Sequence, residues 1–172
     1  KSSDQPIKRA QKAKYYLYIL NGELVDQQLP AGISIEASNI TPTPTNNSFI
    51  TYAIKHGQNH TITCSKEIKD SLSIIYENST NSLSTSGIQL NCNSHGKIHI
   101  KREFFAPENS CLQAYTNVIV ADNAQVTITD VNTNNDGTIL DFMDARLGKD
   151  SHFYTLNQSY LSNNSRFQNR VF

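Results

Sequence analysis

The fold is decided by Asn117-Val-Ile-Val-Ala-Asp-Asn-Ala-Gln-Val-Thr-Ile128. On either side of Asn123-Ala124 apolar and polar residues alternate: Val118 and Val120 before the pair, Val126 and Ile128 after it. Period-two alternation marks a strand with one buried face, and Asn is enriched in the left-handed turn conformation. The same unit recurs around Gly96 and Ser151, at spacings of 28 and 27 residues. His95 and Asp150 stand where Asn123 stands. Leu90, Val118 and Ala145 precede the turn by six positions, and Cys92, Val120 and Leu147 by four. Ile98, Val126 and Phe153 follow it by two positions; Ile100, Ile128 and Thr155 follow by four, and Thr155 breaks the apolar pattern. The positions between are mostly polar (Lys97, Gln125, His152; His99, Thr127, Tyr154).

A strand–turn–strand unit of this length cannot bury its apolar face alone. Stacked in parallel, each inward residue gains an equivalent neighbour above and below, about 4.8 Å away. The reading is all-β: a parallel β-helix with Ile98, Val126 and Phe153 in one interior column. A sandwich or jelly roll of antiparallel hairpins also alternates and is the competing architecture.

Upstream, Tyr15-Tyr-Leu-Tyr-Ile-Leu20 is a β-rich run that meets Asn21-Gly22, a strong hairpin signal, and returns as Glu23-Leu-Val-Asp26. Leu29-Pro-Ala-Gly-Ile-Ser-Ile35 leads into a further extended piece, and Thr41-Pro-Thr-Pro-Thr45 reads as a linker. The chain divides into a polar basic tail or helix remnant over 1–14, a strand and hairpin segment with its Pro/Thr linker over 15–48, and β-helix rungs over 49–172. It opens on Lys1 rather than Met, and the alternation still runs at Arg170-Val-Phe172. Both features are expected of a truncated piece of a longer chain, whose open strand ends favour association, including a homodimer.

Lys plus Arg equals Asp plus Glu at 15 each among 172 residues, so there is no basic surface for nucleic-acid phosphates. Only 17% of residues are charged; Asn, Ser, Thr and Gln fill the difference and favour turns and strands over helices. No run approaches the ~20 apolar residues of a membrane span. Three widely spaced cysteines, an odd number, suit a reducing compartment and point to the cytoplasm.

Four groups could carry chemistry. His56, His60 and Cys64 are metal-competent at a spacing of four, yet Gly57 and Thr61-Ile-Thr63 favour a strand, along which such a step spans about 13 Å. Cys92, His95 and His99 diverge in the repeat: Cys92 inward, His95 in the turn, His99 outward. Cys111 follows Pro107-Glu-Asn-Ser110 in a loop with no cation cluster to activate it. Asp141, Asp144, Asp150 and Arg146 read as solvated loop charges, although paired carboxylates can hydrolyse glycosides when opposed. No nucleophile elbow, P-loop, dinucleotide fingerprint or CxxC stands in the sequence. The residues assign no catalytic, cofactor-binding or metal site.

Three stretches resemble the SufB/SufD family, the core scaffolds of the Suf iron–sulfur cluster assembly system, in its SufD-type members. They are Leu17-Tyr-Ile-Leu-Asn-Gly-Glu-Leu-Val-Asp26 with Leu29-Pro-Ala-Gly-Ile-Ser-Ile35, then 117–128, then Asp144-Ala-Arg-Leu-Gly-Lys-Asp-Ser-His-Phe-Tyr-Thr-Leu-Asn-Gln158. The resemblance covers residues 15–172 and is strongest after Leu112. It implies a right-handed parallel β-helix and a non-enzymatic scaffold joined to SufB-like and SufC-like (ABC ATPase) subunits. The cluster would be handled by the whole complex, with no cofactor in this piece. The family's N-terminal helical region, later rungs and C-terminal helices have no counterpart beyond residues 1–14, so no functional residue is carried over. The alternative is a secreted β-helix that binds carbohydrate or resembles polysaccharide lyases. A third reading is a jelly-roll metal enzyme using His56 and His60.

Overall fold

A computed structural model describes residues 13–40, 48–134, 136–161 and 166–171. Residues 1–12 of the expected basic tail and the 41–47 linker lie outside the described residues. After Asn21-Gly22, the strand β1 (Tyr16–Leu20) returns as β2 (Glu23–Gln28), the expected antiparallel hairpin. Both turn residues are left-handed, with φ of 51° and 86°. Gly22 is required twice over there, because a Cβ on it would also stand 2.6 Å from the Thr85 carbonyl oxygen.

β3 (Ile33–Ala37) is followed by a helix, α1 (Ser48–His56), and then by strands that alternate between two sheets. One sheet holds β4 (Gln58–Cys64), β6 (Leu83–Cys92), β8 (Cys111–Val120), β10 (Thr138–Leu147) and β12 (Arg166–Val171), all parallel, with β3 antiparallel on its first edge. The other holds β5 (Leu72–Glu77), β7 (Lys97–Phe105), β9 (Gln125–Asn134) and β11 (His152–Leu161), with β1 and then β2 on its first edge. Each rung is one strand from each sheet. The architecture is a parallel β-helix, and the jelly-roll alternative is excluded because successive rungs pair parallel and in register.

Ile98 pairs with Val126 and Val126 with Phe153, which forms the expected interior column. Ile98 and Val126 are buried; Phe153, on the edge strand, is half-buried against the same core. Both corners are built from left-handed residues. His95, Asn123 and Asp150 stack at one, and Asn81, Asn109 and Asp136 at the other. Backbone bonds carry the ladder around them: Asn93 N–H donates to Cys64 O (2.9 Å), Ala121 to Cys92 (2.9 Å) and Gly148 to Val120 (2.7 Å).

Three expectations are corrected. Residues 48–56 are helical, not the first strand of the rungs: Ile50, Ala53 and Ile54 fall on one helical face and pack with Ile40 against Tyr115 and Phe142, on the outer face of the first sheet. Leu147 is 56% exposed rather than interior. It pairs with Val120 on one side, whereas the β10–β12 register ends at Met143, so no described strand residue stacks above it. Finally, Asp141, Asp144 and Arg146 lie on β10 rather than in a loop, and Cys111 opens β8.

Candidate functional site

His56, His60 and Cys64 do not converge. His56 ends α1, exposed, with its ring 4.5 Å from that of Tyr52. His60 is half-buried on β4, and burial lowers its pKa. Cys64 closes β4, fully buried. Cys92, His95 and His99 diverge as expected: Cys92 is interior, His95 sits exposed at the corner, and His99 Nε2 lies 3.0 Å from Thr129 Oγ1 outside the second sheet. Burial, and secondarily Lys101, lowers the His99 pKa. Cys111 is half-buried, and burial pushes its thiol up, away from reactivity. Among the described residues, no three His, Cys, Asp or Glu side chains come close enough to hold a metal ion.

The acidic group separates. Asp150 is an exposed corner residue, Asp144 accepts a hydrogen bond from Tyr115 Oη (2.9 Å), and Asp141 points into the interior. There it meets Arg102, a residue the local reading passed over. Arg102 sits on β7 two positions after Ile100, so its side chain enters the core. Asp130 is its partner in the next rung, 28 residues on. The guanidinium is gripped twice. Nε donates to Asp130 Oδ1 at 2.7 Å and Nη2 to Asp130 Oδ2 at 2.6 Å. Nη1 donates to Asp141 Oδ1 at 3.0 Å and Nη2 to Asp141 Oδ2 at 2.7 Å. Nη1 also reaches Thr116 Oγ1 (2.9 Å), and Asn169 Nδ2 donates to Asp141 Oδ2 (2.9 Å). Arg102, Asp130 and Asp141 are all fully buried.

Two carboxyl groups share one guanidinium inside the β-helix. Burial, opposed by Arg102 and reinforced by Asp130, raises the Asp141 pKa. For Arg102, burial disfavours the cation, but the two carboxylates more than reverse this and hold its proton. Phe104 flanks the guanidinium at 5.2 Å and stacks on Tyr76 at 4.9 Å. The cluster is wrapped by rungs on both sides, so its chemistry is that of a bidentate ionic clamp between strands.

On the outer face of the second sheet, a shallow groove of about 530 Å³ runs past Lys14, Asp70, Ser73, Lys101 and Glu103. Its charges are of both signs and partly paired, as in the Lys14–Asp70 contact of 2.8 Å. At the far edge of that face, β11 turns Tyr154, Leu156 and Tyr160 to solvent. No described helix is long and apolar enough to cross a membrane. No protein-family model, curated protein or solved structure shows significant similarity to this chain.

Proposed function

We propose that this chain is a non-catalytic scaffold module of a cytoplasmic Suf-type iron–sulfur cluster assembly complex, of the SufD kind. One observation carries the reading. The family-like stretches 117–128 and 144–158 fall on equivalent strand–corner–strand segments one rung apart, so the resemblance follows the physical repeat. A scaffold needs a stiff body with broad faces, and two parallel sheets joined by an internal ionic clamp supply one. The iron–sulfur cluster is then cargo of the assembled complex, and the partners are a SufB-like subunit and a SufC-like ATPase.

The test is co-expression of the full chain with those two subunits, followed by affinity capture and size-exclusion chromatography. Co-elution with either subunit is expected. Absence of association in the nucleotide-free, ADP and ATP states sinks the reading.

A second reading, carbohydrate binding by an outer face, is favoured by the exposed Tyr154 and Tyr160 beside the uncharged Thr127, Thr129 and Gln158. Exposed tyrosine rings on a flat polar sheet can stack on sugar rings. A glycan array separates the two: binding lost in a Tyr154→Ala/Tyr160→Ala double variant would support this reading over the first.

A further inference from the structure

The 28-residue spacing that joins Arg102 to Asp130 also joins Cys64 to Cys92. The two are register partners on adjacent parallel strands, each the last residue of its strand, and both side chains enter the core. Ordinary rung spacing, about 4.8 Å, lies within the Cα separation a disulfide spans. Both lie at the corner where their strands end. Cys64 Sγ donates to Lys66 O at 3.0 Å, Cys92 Sγ lies 3.9 Å from Gln125 O, and a Cβ on Gly96 would stand 2.9 Å from the Cys92 sulfur, so the glycine is what makes room for that thiol. The two thiols are unequal. Pairing with Cys92, set against burial, lowers the Cys64 pKa. The same pairing, then burial, pushes Cys92 up.

We propose that Cys64 and Cys92 form a reversible dithiol–disulfide clip between the first two rungs, closed by hydroperoxides. Cys64, nearer the open end of the β-helix than Cys92, is the nucleophile: its thiolate attacks one peroxide oxygen, an S–O bond forms as the O–O bond breaks, and the departing oxygen leaves as hydroxide or alkoxide and takes a proton. Cys92 then attacks the Cys64 sulfenic sulfur; the S–S bond forms, the S–O bond breaks, and the oxygen leaves as water with the Cys92 proton. Two thiols are oxidised by two electrons and one peroxide is reduced. Entry is through the end of the β-helix, where Cys64 is covered by the antiparallel strand β3 through Ile33 and by the Ser65 N–H bond to Gly32 O (2.9 Å). Edge elements of this kind open more readily than the core.

The full chain, reduced and then treated with hydrogen peroxide, is blocked with N-ethylmaleimide and mapped by mass spectrometry. A Cys64–Cys92 cross-linked peptide is expected, with Cys111 alkylated, together with a thermal midpoint raised by several degrees and restored by dithiothreitol. In a Cys111→Ser chain the outcome is the same, since Cys111 is a register neighbour of neither. The oxidation rate is expected to rise only weakly through low urea, because only β3 must open. The proposal is overturned if Cys64 and Cys92 remain alkylatable after peroxide, if cross-links run through Cys111, or if the clip appears only as the whole chain unfolds.

Discussion

Replacing Arg102 by Met tests how much the interior clamp contributes. The side chain is fully buried and donates to Asp130, Asp141 and Thr116 over distances of 2.6–3.0 Å. Methionine fills most of the volume of the stem but leaves two carboxyl groups facing each other without a cation. Removing one partner of a buried ionic cluster costs about 3–5 kcal/mol, since the remaining charges stay desolvated. In a chain of this size each kcal/mol moves the thermal midpoint by about 2–4 °C, so the expected drop is on the order of 10 °C. The loss should shrink in acid, where the stranded carboxyls escape by taking protons. Arg102→Met/Asp130→Leu/Asp141→Met, which removes the whole cluster, should recover most of the deficit, because apolar replacement of a buried ion group is often neutral or better. The assay is urea unfolding followed by circular dichroism, with calorimetry for the midpoints. A cost below about 1 kcal/mol for Arg102→Met, the range of an exposed pair, would refute the reasoning. So would a triple variant as weak as the single one.

Three further outcomes follow from the structure. Burial raises the Asp141 pKa in the folded chain, so the stability it contributes is full below its unfolded pKa of about 3.9 and is lost as pH rises through the folded value; relative to Asp141→Asn, the native chain should therefore weaken between acid and neutral pH in urea titrations, and a constant difference would contradict this. Gly22→Ala forces a Cβ into a φ of 86° and to 2.6 Å from the Thr85 carbonyl oxygen; a loss of about 1–3 kcal/mol is expected from chemical denaturation, and a change within about 0.5 kcal/mol, the scatter of ordinary surface substitutions, would show that the hairpin tip yields freely. Ala53→Asp puts a charge among Ile40, Ile50, Tyr115 and Phe142; hydrogen exchange should show the α1 amides losing protection while the β7 and β9 amides keep theirs, and uniform loss would mean that the helix is integral to the rungs.

The rungs were legible in the sequence because their two determinants are local. Period-two alternation set the inward faces, and His95, Asn123 and Asp150 marked the corners. The helix was hidden because Ile50, Thr51, Tyr52 and Ile54 have strand-like preferences, and only the apolar outer face around Tyr115 and Phe142 makes a helix the better solution. Leu147 shows the limit of reading one rung at a time: burial in a β-helix depends on what lies above and below. The same limit hid the interior chemistry. In sequence Asp141 stands near Arg146, yet its partner is Arg102; Cys64 stands four residues from His60, yet its register partner is Cys92.

The polar interior also constrains how the chain can vary. Along one inward-facing column the residues run Leu17, Ile74, Arg102, Asp130 and, exposed on the edge strand, Asn157; along its neighbour they run Ile19, Tyr76, Phe104, Asn132 and, likewise exposed, Ser159. Both pass from apolar beside the β1–β2 hairpin to polar at β9 and β11. Each interior side chain is judged by the one above and the one below, so a charge is tolerable in a column only if an adjacent rung answers it at a matching height. Arg102 meets that condition through Asp130 in its own sheet and Asp141 across the core. The apolar alternation blocks a slip of one residue, which would turn the whole buried face outward, but resists a slip of two only weakly, because one aliphatic contact resembles the next. A guanidinium held bidentate by two carboxylates resists it strongly, since a shift of two residues would replace Asp130 by Ile128 or Asn132 and cost Arg102 one of its two carboxyl partners. The clamp therefore fixes register against the even shifts that the aliphatic alternation leaves open.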